Sequence, residues 1–109
     1  QVLTRLLDAQ RKVVFWGGTG KAAALMNRLQ PSREIVVVDG DDRKVGEWVP
    51  GLGHRIVHPS EVGPHPDVVI ASSWRLGDIL EEIQRTNIVP RAIWVESHGS
   101  LQQIDVQMS

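Results

Sequence analysis

The turn at residues 17–21 contains the residues with the clearest potential for chemistry. Gly18, Gly20 and Ala23 fit the dinucleotide-binding pattern G-x-G-x-x-G/A, in which glycine lets the backbone approach a phosphate closely. A helix that begins near Gly20 offers unpaired N–H groups and the positive end of its dipole, and Lys21 adds a point charge. The turn therefore predicts a phosphate-sized site, and the alternative interpretation is a tight turn that binds nothing.

An acidic residue follows the glycine turn at the spacing of a ribose-binding acid. Asp39 lies 21 positions after Gly18 and ends the apolar run 36–38, so its carboxylate is placed to accept hydrogen bonds from ribose hydroxyls. Asp41 and Asp42 lie close to it in the sequence, and these charges would repel a phosphate on the ribose. A 2′-phosphorylated cofactor is therefore not expected.

Strands and helices alternate along the chain. Short β-branched runs predict strands, and apolar residues at helical spacing predict helices. This alternation is typical of a parallel sheet with right-handed crossovers. We therefore predict an α/β fold, a Rossmann-like three-layer sandwich with a five-stranded parallel sheet in the order 3-2-1-4-5. The predicted strands cover residues 12–16, 35–38, 55–57, 67–71 and 92–95, the predicted helices cover residues 2–7, 21–29 and 76–83, and the tail from Gly99 onward has no clear pattern.

The predicted strand order creates a crevice over the carboxyl ends of strands 1 and 4, where the chain reverses direction. The turn 17–21 and the segment 72–74 are predicted to line it. Trp16 ends strand 1, and Trp74 follows strand 4. At these positions the two rings either stack on a base or cover the crevice where a partner docks. Trp48, in a charged loop, is predicted to contact a partner.

The composition limits the kinds of partner. The chain has 109 residues, of which 41% are hydrophobic and 23% charged, and this predicts one globular domain over residues 1–109. A formal net charge of -1 argues against a nucleic-acid partner or an anionic membrane. The absence of cysteine excludes disulfides and thiol chemistry and fits a cytoplasmic protein. Because the chain begins at Gln1 rather than Met, we expect a fragment of a larger protein.

The sequence predicts neither a metal site nor catalytic residues. His54 and His58 flank a predicted strand rather than share a helix face, and no suitable carboxylate ligand accompanies them. Ser97 and His98 are adjacent, yet no G-x-S-x-G motif is present and no acid is placed to orient the histidine. The acidic pair 81–82 is interpreted as part of a solvated helix face.

The glycine turn is also part of a longer ordered pattern. The segment 15–21 resembles the aromatic-Gly-small-small-small-Lys turn in the C-terminal domain of sugar C-methyltransferases, the S-adenosylmethionine-dependent enzymes that methylate nucleotide-linked deoxysugars. In that family the second strand ends in Asp, and Lys-x-Gly and Pro-Gly follow; the matching residues are Asp39, 44–46 and 50–51. The resemblance covers about residues 10–95, and this ordered set is its most specific part.

The resemblance implies a module that binds or orients a nucleotide-linked sugar, such as a TDP-sugar, without catalytic residues of its own. It also implies that S-adenosylmethionine and the catalytic base belong to a preceding domain of the parent enzyme, so that this domain holds no cofactor. Ala22 departs from the family, which often has Gly after the Lys of the turn. The predicted binding residues are Gly17, Gly18, Thr19, Gly20, Lys21, Asp39, Lys44 and Trp74.

Two other functions fit the same residues. A NAD-type or nucleotide-sensing domain of a dehydrogenase or sugar acyltransferase would use the same glycines, although a second mononucleotide-binding half is missing. A docking module with an empty crevice would instead use Trp16, Trp48 and Trp74 as interface residues.

Overall fold

The centre of the domain is a β-sheet with helices on both faces. The computed structural model describes residues 2–18, 20–31 and 34–105. In these residues the sheet has six strands, namely β1 (Val13–Trp16), β2 (Val36–Val38), β3 (Ile56–Val57), β4 (Asp67–Ile70), β5 (Ala92–Ser97) and β6 (Ser100–Ile104). The α-helices of the same residues are α1 (Val2–Asp8), α2 (Lys21–Leu29) and α3 (Leu76–Arg85).

The parallel part of the sheet has the predicted arrangement. Its strands follow the order β3-β2-β1-β4-β5, and each neighbouring pair is parallel. Val14 of β1 pairs with Val36 on one side and Val68 on the other, so β1 and β4 adjoin at the point where the chain reverses direction across the sheet. The predicted order 3-2-1-4-5 is therefore confirmed for these strands.

The prediction of a sheet with five strands is wrong, because β6 adds an antiparallel strand beside β5. The strand β5 continues to Ser97, and the turn at His98 and Gly99 then adopts positive φ angles of 50° and 87°. Val95 pairs with Gln102 in the resulting hairpin. The sequence signal of β6 is weak because its apolar residues do not alternate with its polar ones.

Two apolar clusters lie on opposite faces of the sheet, and alternate residues of β1 contribute side chains to each of them. Phe15 packs in the cluster that includes Met26 of α2. Val14 packs in the other cluster, which includes Ile83 of α3. Every residue of β1 is buried, which is the expected pattern for a central parallel strand covered on both faces. The domain therefore has three layers, with α1 and α2 on one side and α3 on the other.

A buried ion pair joins the start of β4 to the segment that precedes β1. Asp67, the first residue of β4, is fully buried, and Arg11 donates hydrogen bonds of 2.7 Å to each of its two carboxylate oxygens. The indole N–H of Trp94 donates a third bond, of 3.1 Å, to the same carboxylate. Since both partners are charged and largely removed from water, loss of one partner would leave an uncompensated buried charge.

Replacement of Arg11 therefore tests this ion pair. We expect Arg11→Met to lower the free energy of unfolding by about 3 kcal/mol, because the fully buried carboxylate of Asp67 would lose its main partner. Urea denaturation followed by tryptophan fluorescence measures the change. The matched control is Arg5→Met, since Arg5 is exposed on α1 and its loss should change stability by less than about 0.5 kcal/mol. Equal stability of the two variants would contradict the role of the pair.

Candidate functional site

A cleft of about 340 Å³ lies over the carboxyl ends of β1 and β4. Clefts of roughly 300–1,000 Å³ are the usual size of small-molecule sites. The walls come from the turn after β1, the start of α2, the loop after β2, and the 3-10 turn Ser73–Arg75 that leads into α3. The cleft is therefore at the position where parallel α/β sheets bind their ligands.

The structure brings most of the predicted site residues to this cleft. Gly18 does not line it, although Gly17 and Gly20 do, and Thr19 lies outside the described residues. The predicted residues that line the cleft are Gly17, Gly20, Lys21, Asp39, Lys44 and Trp74.

The glycine turn leaves the start of α2 uncovered. Gly17 has a φ of 108°, and Gly20 has a φ of 60° with a ψ of −127°, conformations that residues with a side chain rarely adopt. Gly20 is the N-cap residue of α2 and has no side chain that could accept a hydrogen bond from the first helical N–H groups. Since Gly20, Lys21 and Ala22 line the cleft, the positive end of the helix faces it.

Gly18 contributes to the turn through close packing. A Cβ atom at this position would overlap the side chain of Ile56 on β3. The missing side chain therefore lets the turn lie directly against the sheet, and this explains the glycine without requiring ligand contact.

The carboxylate of Asp39 connects the loop after β1 to the loop after β2. Asp39 is only 9% exposed, and it accepts the N–H of Gly18 at 3.2 Å on one oxygen and the N–H of Asp41 at 2.9 Å on the other. Each carboxylate oxygen has a second lone pair, so the residue retains acceptor capacity toward the cleft that it lines. Asp39 therefore holds the site together, and its predicted contact with ribose hydroxyls stays a prediction.

Replacement of Asp39 tests this connection between the loops. We expect Asp39→Ala to lower the free energy of unfolding by about 1–3 kcal/mol, because the N–H groups of Gly18 and Asp41 lose their acceptor. Asp42→Ala serves as the control in the same loop, since the side chain of Asp42 is 87% exposed. Thermal unfolding of the two variants in parallel gives the comparison, and similar values for both would show that Asp39 does not hold the loops.

The tryptophans at the two strand ends differ in exposure. Trp16 is buried among the residues on the α3 side of the sheet, which leaves little of its ring for stacking on a base. Trp74, on the 3-10 turn Ser73–Arg75, is 88% exposed and lines the cleft. Of these two tryptophans, Trp74 is therefore the one placed to stack on a ligand or to meet a partner. Trp48 is also exposed, and the Arg55 guanidinium lies 5.0 Å from its ring centroid.

The cleft is also lined by residues that were not predicted from the sequence, among them Gly40, Arg75 and Glu82. Glu82 was interpreted as part of a solvated face, but its side chain is only 19% exposed. It follows the buried Ile79 by three positions, at the edge of the apolar face of α3. This helical phase is the signal that separates Glu82 from its exposed neighbour Glu81.

The loop after β2 carries an ion pair beside the cleft. Arg43 donates side-chain and backbone hydrogen bonds to Asp41, and these bonds lower the pKa of Asp41 from 3.8 to about 2. Because the pKa is lowered in the folded state, the contribution of the ionised form to stability is present above pH 3.8 and is lost as the pH falls toward 2. The loop therefore keeps the negative charge of Asp41 throughout the physiological range.

The pKa of Asp41 can be measured directly. We expect a carbon-13 NMR titration of its carboxyl group to give a midpoint near pH 2, and Arg43→Ala to move that midpoint up toward 3.8. Lys44→Ala is the control, because Lys44 contributes the smallest of the causes that lower this pKa. An unchanged midpoint in Arg43→Ala would contradict the assignment.

We also searched the described residues for membrane-spanning helices and for groups of metal-binding side chains. In residues 2–18, 20–31 and 34–105, no helix combines the length and apolar character needed to cross a membrane. The same part of the chain holds no group of three or more His, Asp or Glu residues arranged for a metal ion.

The fold is that of a doubly wound α/β domain with a cleft at the reversal point of its sheet. The family model of the C-methyltransferase C-terminal domain matches residues 1–95, and the chain belongs to this family. The resemblance found in the sequence is thereby confirmed. No curated protein matches the chain, and no solved structure does.

Proposed function

We propose that the domain binds or orients a nucleotide-linked sugar, such as a TDP-sugar, within an S-adenosylmethionine-dependent sugar C-methyltransferase. The observation that best supports this proposal is the cleft, because the start of α2, which has glycine as its N-cap residue, and the carboxylate of Asp39 both line it. The domain supplies binding and no catalytic residue. The methyl donor and the catalytic base belong to a preceding domain of the parent enzyme.

The diphosphate of the ligand is assigned to the start of α2. The N–H groups of the first helical turn, which no side chain of the N-cap residue caps, donate to phosphate oxygens, and the helix dipole favours the negative charge of the phosphate. Lys21 lies in that turn and lines the cleft, so it adds a positive charge to the same region. Lys44 lines the cleft from the loop after β2.

The nucleoside is assigned to the region between Asp39 and Trp74. Asp39 accepts hydrogen bonds from sugar hydroxyls with its remaining lone pairs, and Trp74 offers an exposed aromatic face to the base. A NAD-type ligand is disfavoured because the described strands supply one glycine turn of this kind, and a dinucleotide spans two such halves.

A docking module is the competing function, and the exposure of Trp74 favours it. A tryptophan that is 88% exposed at the mouth of a cleft is also typical of a surface that meets another domain. In that case the cleft binds no nucleotide, and Trp74 is an anchor in a protein interface.

Direct titration separates these functions. We expect TDP-glucose and TDP to bind more tightly than NAD or S-adenosylmethionine in isothermal titration calorimetry, with a parallel change in tryptophan fluorescence because Trp74 lies at the cleft. A preference for NAD would support the dinucleotide-binding alternative. The absence of binding at millimolar ligand would support the docking module.

A variant that removes one positive charge tests whether the diphosphate binds at the start of α2. We expect Lys21→Ala to weaken TDP-glucose binding by roughly tenfold, because a phosphate contact to a cation at a helix start is lost. Lys12→Ala is the matched control, since Lys12 precedes β1 at the opposite end of that strand. Equal affinities of the two variants would count against the assignment of the diphosphate to α2.

A further inference from the structure

The carboxylate of Glu82 is held in the cleft by three neighbouring elements. The indole N–H of Trp16, at the end of β1, donates a hydrogen bond of 2.6 Å to Oε2 of Glu82. The Arg75 guanidinium lies 4.0 Å from Oε1. A Cβ atom at Gly40 would overlap the carboxyl group, so the loop after β2 passes directly against it. Glu82 is therefore fixed in position before any ligand arrives.

This carboxylate has acceptor capacity that the protein does not use. A carboxylate offers about four lone-pair sites, and within the described residues Trp16 is the group that donates a hydrogen bond to it. Arg75 is too distant for a hydrogen bond, and its side chain is 57% exposed. A charged group with so little exposure needs donors, and the open side of the carboxylate faces the cleft that it lines.

Positive and negative charges lie in different parts of the cleft. The start of α2 and Lys21 form a positive region suited to phosphates. Asp39 and Glu82 are negative and would repel phosphate, whereas both accept hydrogen bonds from neutral hydroxyl groups. Hydroxyl-bearing sugar is therefore the part of a nucleotide-linked sugar that complements these two carboxylates.

We propose that Glu82 is a specificity-determining residue that accepts hydrogen bonds from sugar hydroxyls of the bound ligand. This inference rests on the proposed function, since it assigns a role within the same cleft. The hydroxyl belongs either to the nucleoside or to the linked sugar, and the choice of ligand in the experiment distinguishes these sources.

Glu82→Gln is the informative variant. Its amide oxygen still accepts the indole N–H of Trp16, while its amide nitrogen replaces an acceptor with a donor. We expect TDP-glucose to bind at least tenfold more weakly to this variant than to the unaltered domain. Binding of inorganic pyrophosphate, which has no sugar hydroxyl, should change by less than twofold. Glu81→Gln is the matched control, because Glu81 is the exposed neighbour on α3 and its change should leave both affinities unaltered.

Isothermal titration calorimetry compares the unaltered domain with Glu82→Gln and Glu81→Gln. A loss seen with both TDP and TDP-glucose supports the inference and assigns the hydroxyl to the nucleoside. A loss seen with TDP-glucose alone supports it and assigns the hydroxyl to the linked sugar. Equal affinity of Glu82→Gln and the unaltered domain for both ligands overturns the inference while leaving the proposed function intact. An unaltered domain that binds no nucleotide overturns the proposed function, and the inference with it.

A measurement on the unaltered domain covers the case in which Glu82→Gln does not fold. The indole N–H of Trp16 reports on its bond to Glu82 and gives a separate signal in a nitrogen-15 NMR spectrum. We expect saturating TDP-glucose to shift this signal and saturating pyrophosphate to leave it in place. A signal that TDP-glucose does not move would overturn the inference.

Discussion

The two hydrogen bonds of Asp39 are the interactions on which the rest of the site depends. The bond from Gly18 connects the turn after β1 to the loop after β2, and the bond from Asp41 holds the same carboxylate within the loop after β2. Both loops form walls of the cleft. Gly18 permits this connection because its missing side chain lets the turn lie against Ile56. With the turn held there, α2 begins at the cleft with its N-terminus open. One buried carboxylate thus joins two of the loops that shape the cleft.

The parallel sheet and the position of the cleft could be predicted from local patterns. The apolar runs that became β1 and β4 are buried on both faces, so their residue types alone indicate central strands. Gly17 and Gly20 adopt the positive φ angles that their residue type favours. Such features depend on a residue and its close neighbours in the sequence, and this is why the sequence reveals them.

The features that the sequence did not reveal depend on contacts between distant residues. The strand β6 pairs with β5 although only Leu101 and Ile104 of its five residues are apolar, so the hairpin rather than the pattern determines it. Glu81 and Glu82 are the same residue type at adjacent positions; the helical phase of α3 separates them, but the contact of Glu82 with Trp16 depends on how α3 packs on the sheet. Asp67 looks like an ordinary strand-opening acid until the fold brings Arg11 to it.

The edge strands limit how the sheet can associate with other chains. An unpaired strand edge is a template for a further strand, which leads to sheet extension or aggregation. Here the edge strand β3 has two residues, and the other edge, β6, carries Ser100, Gln102 and Gln103 as exposed polar residues. Neither edge offers a long apolar template. Association with another chain would therefore depend on side-chain surfaces, such as the exposed Trp74 at the mouth of the cleft, rather than on the backbone of an edge strand.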